Sequence, residues 1–137
     1  MTRPEITRSV PDIGYLSPGL FEDLGIVQTV VANGTVYVSG IAPLTDAGDE
    51  LDVVSPDLAD QLTFVLGVLE RSLAAAGTDR SRLLAWTIYA TDLAALSGCL
   101  PILKGWVGEH RPTSTWIGCS GFIHPRQLLE LTATAVL

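Results

Sequence analysis

The sequence predicts an α+β fold, a sheet with helices packed on one face. Three observations predict it. Asn33-Gly34 stands between two β-branched runs, Val27–Val31 and Thr35–Ser39. A stripe of Leu58, Leu62, Val65, Leu66, Leu69 and Leu73 follows at helical spacing. Last, the elements read in the order β-β-(short β)-α-β-α-β-β. Two helices separated by a strand, ahead of a closing hairpin, suit a two-layer sandwich.

Each element has its own warrant. Residues 1–25 read as irregular, because Pro4, Pro11, Gly14, Pro18, Gly19 and Gly25 interrupt them. Asn33-Gly34 is the strongest short-range hairpin signal, since both residues tolerate the positive φ of a type I′ turn. Gly40 then either offers a close backbone N–H to a ligand oxygen, as a substrate-binding position, or is a simple strand-end kink. Ser55-Pro56-Asp57 predicts a helix start with Ser55 as N-cap and Pro56 at N1. Gly77 suits the position after the helix end. Leu83–Ala90 is apolar on both faces and reads as a central strand. Ser97–Gly108 reads as one shorter helix. Pro101 fits it only in the first turn, which sets the cap at Ser97 or Gly98. Thr113–Gly118 and Leu128–Leu137 read as the closing pair of strands. Alternation puts Thr113, Thr115 and Ile117 on one face and Ser114, Trp116 and Gly118 on the other.

Composition bounds the function. A length of 137 residues suits one domain over 1–137. Eight Lys+Arg against fifteen Asp+Glu give a net charge of −7. That field repels phosphate backbones and anionic membrane surfaces, so nucleic acid and membrane are not expected partners. Charged residues are only 17%, against roughly 25% in ordinary domains, so either much of the surface is neutral or part of it is buried against other copies. The charge-free stretch Leu93–Leu103 is far short of the ~20 residues that span a bilayer. No apolar signal core leads the chain, and Cys99 and Cys119 form no CxxC pair. Reduced thiols in a cytoplasmic protein are therefore expected. His110 and His124 are the sole histidines, at no metal-ligand spacing, so no metal is expected.

From Gly25 to Leu137 the chain resembles the RidA (YjgF/YER057c) family. The carriers are Asn33-Gly34-Thr35-Val36-Tyr37-Val38-Ser39-Gly40, Gln61, Ala76-Gly77, Thr87-Ile88-Tyr89-Ala90-Thr91-Asp92, Arg111-Pro112 and Leu129-Glu130-Leu131. The resemblance implies one six-stranded mixed sheet with two helices on one face, a chorismate-mutase-like fold. It implies a homotrimer whose sheets form a central barrel, with pockets between subunits. It also implies a cofactor-free hydrolase, converting enamines and imines such as 2-aminoacrylate to ketones and ammonia.

This chain departs from that pattern where the family binds its substrate. Active members carry P-x-R-[ST], and the arginine clamps a carboxylate. Here the segment is Pro112-Thr113-Ser114-Thr115, with Ser114 in the arginine's place. A hydroxyl cannot make the bidentate, charge-assisted pair, a loss of about 1.5–3 kcal/mol. Ile26 stands for the family tyrosine, Ile41 for a glutamine, and Trp116 for a small residue.

Glu130 is retained, and in the family this glutamate positions a water. A carboxylate near a tryptophan in a crevice suits acid/base work, whereas the plain alternative is a hydrogen bond to backbone or a hydroxyl. If the last two strands pair as a hairpin, Trp116, Ser114 and Glu130 share one face. Ser114 is either a nucleophile or a hydroxyl filling the arginine's space. Trp116 and Tyr89 are either pocket walls or interface aromatics. Arg126 either reaches over the pocket mouth, replacing the clamp, or is a solvated loop charge.

Two functions remain open. One is a RidA-like enzyme with an altered substrate, in which Glu130 adds water to, or moves protons on, an enamine/imine-type or related neutral intermediate. The other is a non-catalytic trimeric module binding a small apolar ligand over Ile26, Ile41 and Trp116. Ribonuclease activity, known within the family, is disfavoured by the net charge of −7.

Overall fold

The structure is a computed structural model that describes residues 2–48 and 50–137; Met1 and Asp49 lie outside the described residues. Its strands are β1 (Ile6–Ser9), β2 (Thr29–Ala32), β3 (Thr35–Ile41), β4 (Leu44–Thr45), β5 (Asp52–Val53), β6 (Leu83–Ala90), β7 (Thr113–Gly118) and β8 (Leu129–Val136). Its helices are α1 (Pro18–Leu24), α2 (Leu58–Ala75), α3 (Leu93–Gly98) and α4 (Leu100–Val107). Six strands form one mixed sheet in the order β1-β2-β3-β8-β6-β7, and β4 with β5 forms a small flap.

The predicted hairpin is β2–β3, turned by Asn33 (φ 52°) and Gly34 (φ 73°). Both positive values are what a type I′ turn demands. Strand β3 then carries a bulge. Val38 opposes Ala133 and Ile41 opposes Leu131, so three steps on β3 meet two on β8. Gly40 lies in that bulge.

Helix α2 buries Leu62, Val65, Leu66, Leu69 and Leu73 against β3 and β8. It starts later than predicted. Asp57 is at the cap position, and the Ser55 hydroxyl instead accepts from the Asp57 N–H (3.1 Å) while donating to Asp60 (2.8 Å). A serine followed by proline folds back on itself, and that local turn takes the hydroxyl from the helix. The expected second helix is two helices. Asp92 caps α3 by accepting from the Ala95 N–H (3.0 Å), and the chain restarts at Cys99 so that Pro101 falls in the first turn of α4. The segment read as irregular contains β1 and α1. Pro18 opens α1 behind its cap, Ser17, and Gly25 ends it at φ 71°, so these residues bound a helix.

The sheet corrects the closing hairpin. Strand β7 pairs parallel to β6 along its whole length, while β8 inserts antiparallel between β3 and β6. Helices α3 and α4 supply the crossover that parallel pairing needs. Strand β6 is accordingly second from the edge, and β3 and β8 hold the centre.

Buried Leu129, Leu131, Ala133 and Ala135 of β8 face α2 with Trp86 and Ile88 of β6. The other face carries Tyr37, Thr87, Tyr89, Thr115, Thr132 and Thr134, which the cross-strand register links side by side. Tyr37 is 51% exposed there and Ile117 41%.

Gln61, fully buried in α2, ties this core to the loop before β8. Its amide donates to Ser55 O (2.8 Å) and Arg126 O (3.1 Å), and its carbonyl accepts from the Leu128 N–H (2.9 Å). Substituting Gln61→Leu keeps the volume and orphans all three groups. It should lower stability by about 3 kcal/mol, read as an earlier urea midpoint with unchanged slope.

Candidate functional site

Glu130 lies between Leu129 and Leu131, both fully buried in the core. Alternation therefore sends its side chain to the opposite face, beside Tyr89 in register. There it lines a cavity of about 280 Å³ with Tyr15, Phe21, Leu24, Ile26 and Ile123. Almost everything around the carboxylate is apolar. Helix α1 and the flap strand β4 supply much of the wall.

Two neighbours fix the carboxylate. The Gln127 amide, 2% exposed, donates to Glu130 Oε1 (3.4 Å) and to Leu129 O (3.1 Å). Gly40 fills the other side: a Cβ there would lie 2.8 Å from Glu130 Oε2 and 3.2 Å from its carboxyl carbon. Only a glycine lets the bulged strand come so close. Oε1 is thus held while Oε2 faces the cavity wall at Gly40.

Tyr15 closes the same cavity. Its hydroxyl donates to Ala42 O (3.0 Å) and accepts from the Ala42 N–H (2.9 Å). Burial pushes its pKa up, the Ala42 bond partly opposes that, and the negative charge of Glu130 adds to the rise. The phenol is therefore a neutral fixture. Neither Tyr15 nor Gln127 stood out in the sequence. Tyr15 lies in the stretch read as irregular, and nothing in a lone glutamine near the start of a strand signals burial.

Ser114 and Trp116 are elsewhere. In register with Trp86 and Ile88 of β6, they lie on the helix face of β7, the opposite face from Glu130. The expectation that all three share one face is corrected, because it assumed β7–β8 pairing. Ser114 and Trp116 instead line a second cavity, of about 220 Å³, between β7 and α4. Its wall includes Trp86, which stacks on Trp106 at 5.7 Å and donates from Nε1 to Ser114 Oγ (2.8 Å). An indole N–H cannot accept a proton, so this contact leaves Ser114 without the base that a nucleophile requires.

The remaining predicted residues scatter. Ile26 lines the Glu130 cavity. Ile41 is fully buried in the core on the far side of the bulge, so it lines no pocket. Arg126 lines neither of these two cavities: it pairs with Asp52 of β5 at 2.6 Å, with His124 Nε2 3.6 Å from the same oxygen. It latches the β4–β5 flap to the loop before β8. Among the described residues, no cluster of His, Cys, Asp or Glu could hold a metal ion, and no helix is long and apolar enough to cross a membrane.

Comparison with known proteins adds a family. The model described as Endoribonuclease L-PSP matches residues 25–137. A YjgF/YER057c/UK114-family protein of Mycobacterium tuberculosis is 20% identical, with a TM-score of 0.81 over 97% of this chain and 100% of that one. A Rid-family protein of unknown function, YyfA of Yersinia pestis, is 23% identical, with a TM-score of 0.79 over 96% and 100%. A YjgF-family protein of Neisseria meningitidis is 24% identical, with a TM-score of 0.73 over 96% and 94%. No curated protein matches the chain.

Gly40→Ala should change stability by less than about 1 kcal/mol, since alanine is the better strand residue, yet swing the Glu130 carboxyl aside. A crystal structure of the variant checks this; an unmoved carboxylate would sink the packing argument.

Proposed function

The chain belongs to the YjgF/Rid family, whose model is described as Endoribonuclease L-PSP, and we propose that it is an enzyme acting on an enamine- or imine-type substrate larger than 2-aminoacrylate. The observation that carries this reading is Glu130: one carboxylate, held by Gln127 and Gly40, at the wall of an apolar cavity. A carboxylate so placed takes a proton from water as the oxygen adds to the C=N carbon. It then returns a proton to nitrogen, and the carbinolamine collapses to a carbonyl compound and ammonia. Water supplies the oxygen, and no oxidant or reductant is needed.

One chain holds only half a site. The Glu130 cavity and the Ser114–Trp116 cavity lie on opposite faces of the sheet. We propose a homotrimer in which the cavity of one copy meets the other cavity of its neighbour. The uncovered sheet face supports this, with Tyr37 half-exposed among a band of threonines. Apolar and hydroxyl groups without charge suit a self-interface. The neighbour would bring Ser114 where the family pattern has arginine, so carboxylate clamping adjacent to the reacting carbon is lost.

The other reading is a non-catalytic trimeric binding module. Its support is that the Ser114–Trp116 half offers no acid or base, its hydroxyl being tied to Trp86. Substitution separates the two. Glu130→Gln should abolish turnover while keeping ligand affinity if the chain is an enzyme, and a binder has no turnover to lose. With 2-aminoacrylate generated in a coupled assay, little ammonia and pyruvate should form; robust release would overturn the altered-substrate reading.

Sedimentation at micromolar concentration should give a species of three 14.5 kDa chains. A stable monomer would remove the shared site.

A further inference from the structure

The cavity between α4 and β7 carries a signature that the missing arginine hides. Its wall is apolar, built from Trp86, Leu100, Leu103, Val107, Pro112 and Trp116. At about 220 Å³ it exceeds the ~150 Å³ that accommodates benzene in an engineered core. Two cations, Lys104 and Arg111, line it as well.

Those cations stand out in an acidic chain. Only eight Lys+Arg serve fifteen Asp+Glu, and Lys104 is the one lysine. Four others have work inside the fold, while Arg3 and Arg8 of the N-terminal segment, also without such partners among the described residues, do not line this cavity. Arg71 donates to Ile13 O, Arg80 meets Glu70 and lies over Trp106, Arg82 donates to Leu137 O, and Arg126 pairs with Asp52. Among the described residues, neither Lys104 nor Arg111 forms an ion pair or a side-chain hydrogen bond, and both border the same apolar cavity. The Ser114 hydroxyl adds a donor, because its oxygen already accepts from Trp86 and its proton is left over.

We infer that this cavity binds an amphipathic carboxylate, its apolar body against Trp86 and Trp116 and its anionic group against Lys104 and Arg111. The inference deepens the enzymatic reading and rests on it for the ligand being a substrate. It replaces neutrality with a single negative charge carried on an apolar body. A three-carbon acid such as 2-aminoacrylate would leave the cavity unfilled. A neutral apolar compound would leave both cations unanswered. Hydrophobic burial supplies affinity here, and charge supplies the choice between ligands.

Binding can be read apart from turnover. The probes are 3-phenylpropanoate and its uncharged analogue 3-phenylpropanamide, titrated by calorimetry and by tryptophan fluorescence. The full chain should bind the acid at least about tenfold more tightly than the amide, the scale of a charge-assisted contact. The double variant Lys104→Met with Arg111→Met should lose that preference and keep its affinity for the amide. Both side chains are exposed, so its unfolding midpoint should match the parent and exclude a folding artefact. Equal binding of acid and amide to the parent, binding of neither at millimolar concentration, or a preference surviving in the double variant would each overturn the inference. Glu130→Gln separates the two ideas: it should keep the acid preference whether or not turnover is found. Turnover of a neutral apolar imine without acid preference would sink the inference alone.

Discussion

Strand β8 is hydrogen-bonded along both edges, to β3 and to β6, and the rest of the molecule depends on that double pairing. A strand fixed on both sides cannot slip, and a slip of one residue would exchange its faces. Leu129, Leu131, Ala133 and Ala135 must stay under α2, so Glu130, Thr132 and Thr134 must face the other way. The position of the one candidate acid/base group is thus a by-product of core burial. The β3 bulge completes the geometry by bringing Gly40 against that carboxylate. Gln61 anchors the chain just before β8 begins, so an error there would propagate to Glu130.

Much of the fold was legible because its signals are local. Asn33-Gly34 names its own turn, the α2 stripe names its own face, and Pro101 names its place in a first turn. Two features were not legible for the same reason in reverse. Pairing of β7 with β6 is a choice between distant strands, and nothing within Thr113–Gly118 says which neighbour it takes. The hairpin assumption followed from sequence adjacency, and it carried Trp116 and Ser114 to the wrong face. The N-terminal segment misled differently: its prolines and glycines bound short elements, and frequent punctuation looks the same whether it interrupts or encloses.

Glu130 was legible as a candidate because its family pattern is retained, but its surroundings were not. Gln127 and Tyr15 become partners only after folding closes long loops around the cavity. Arg126 shows the opposite case. A free-looking arginine near the expected pocket mouth is held by Asp52, some seventy residues away in sequence, to fasten the flap. Proximity along the chain to a functional residue is a poor guide to which cation reaches a ligand.

Charge scarcity gives the last step. A chain with 17% charged residues has few cations to place, and each unpaired one adjoining an apolar cavity is correspondingly informative. Salt bridges elsewhere in this molecule are exposed and contribute little to stability, so pairing alone does not explain where its basic residues sit. Arg80 and Arg126 fasten local structure through backbone, aromatic or flap contacts. Lys104 and Arg111 fasten nothing within the described chain, yet they border a cavity otherwise walled by tryptophan, leucine, valine and proline. With Ser114 in the arginine's place of the P-x-R-[ST] pattern, the positive charge at this cavity is that of Lys104 and Arg111. A substrate that reads this arrangement must present its apolar surface and its charge at different places, which a compact two-substituent acid cannot do.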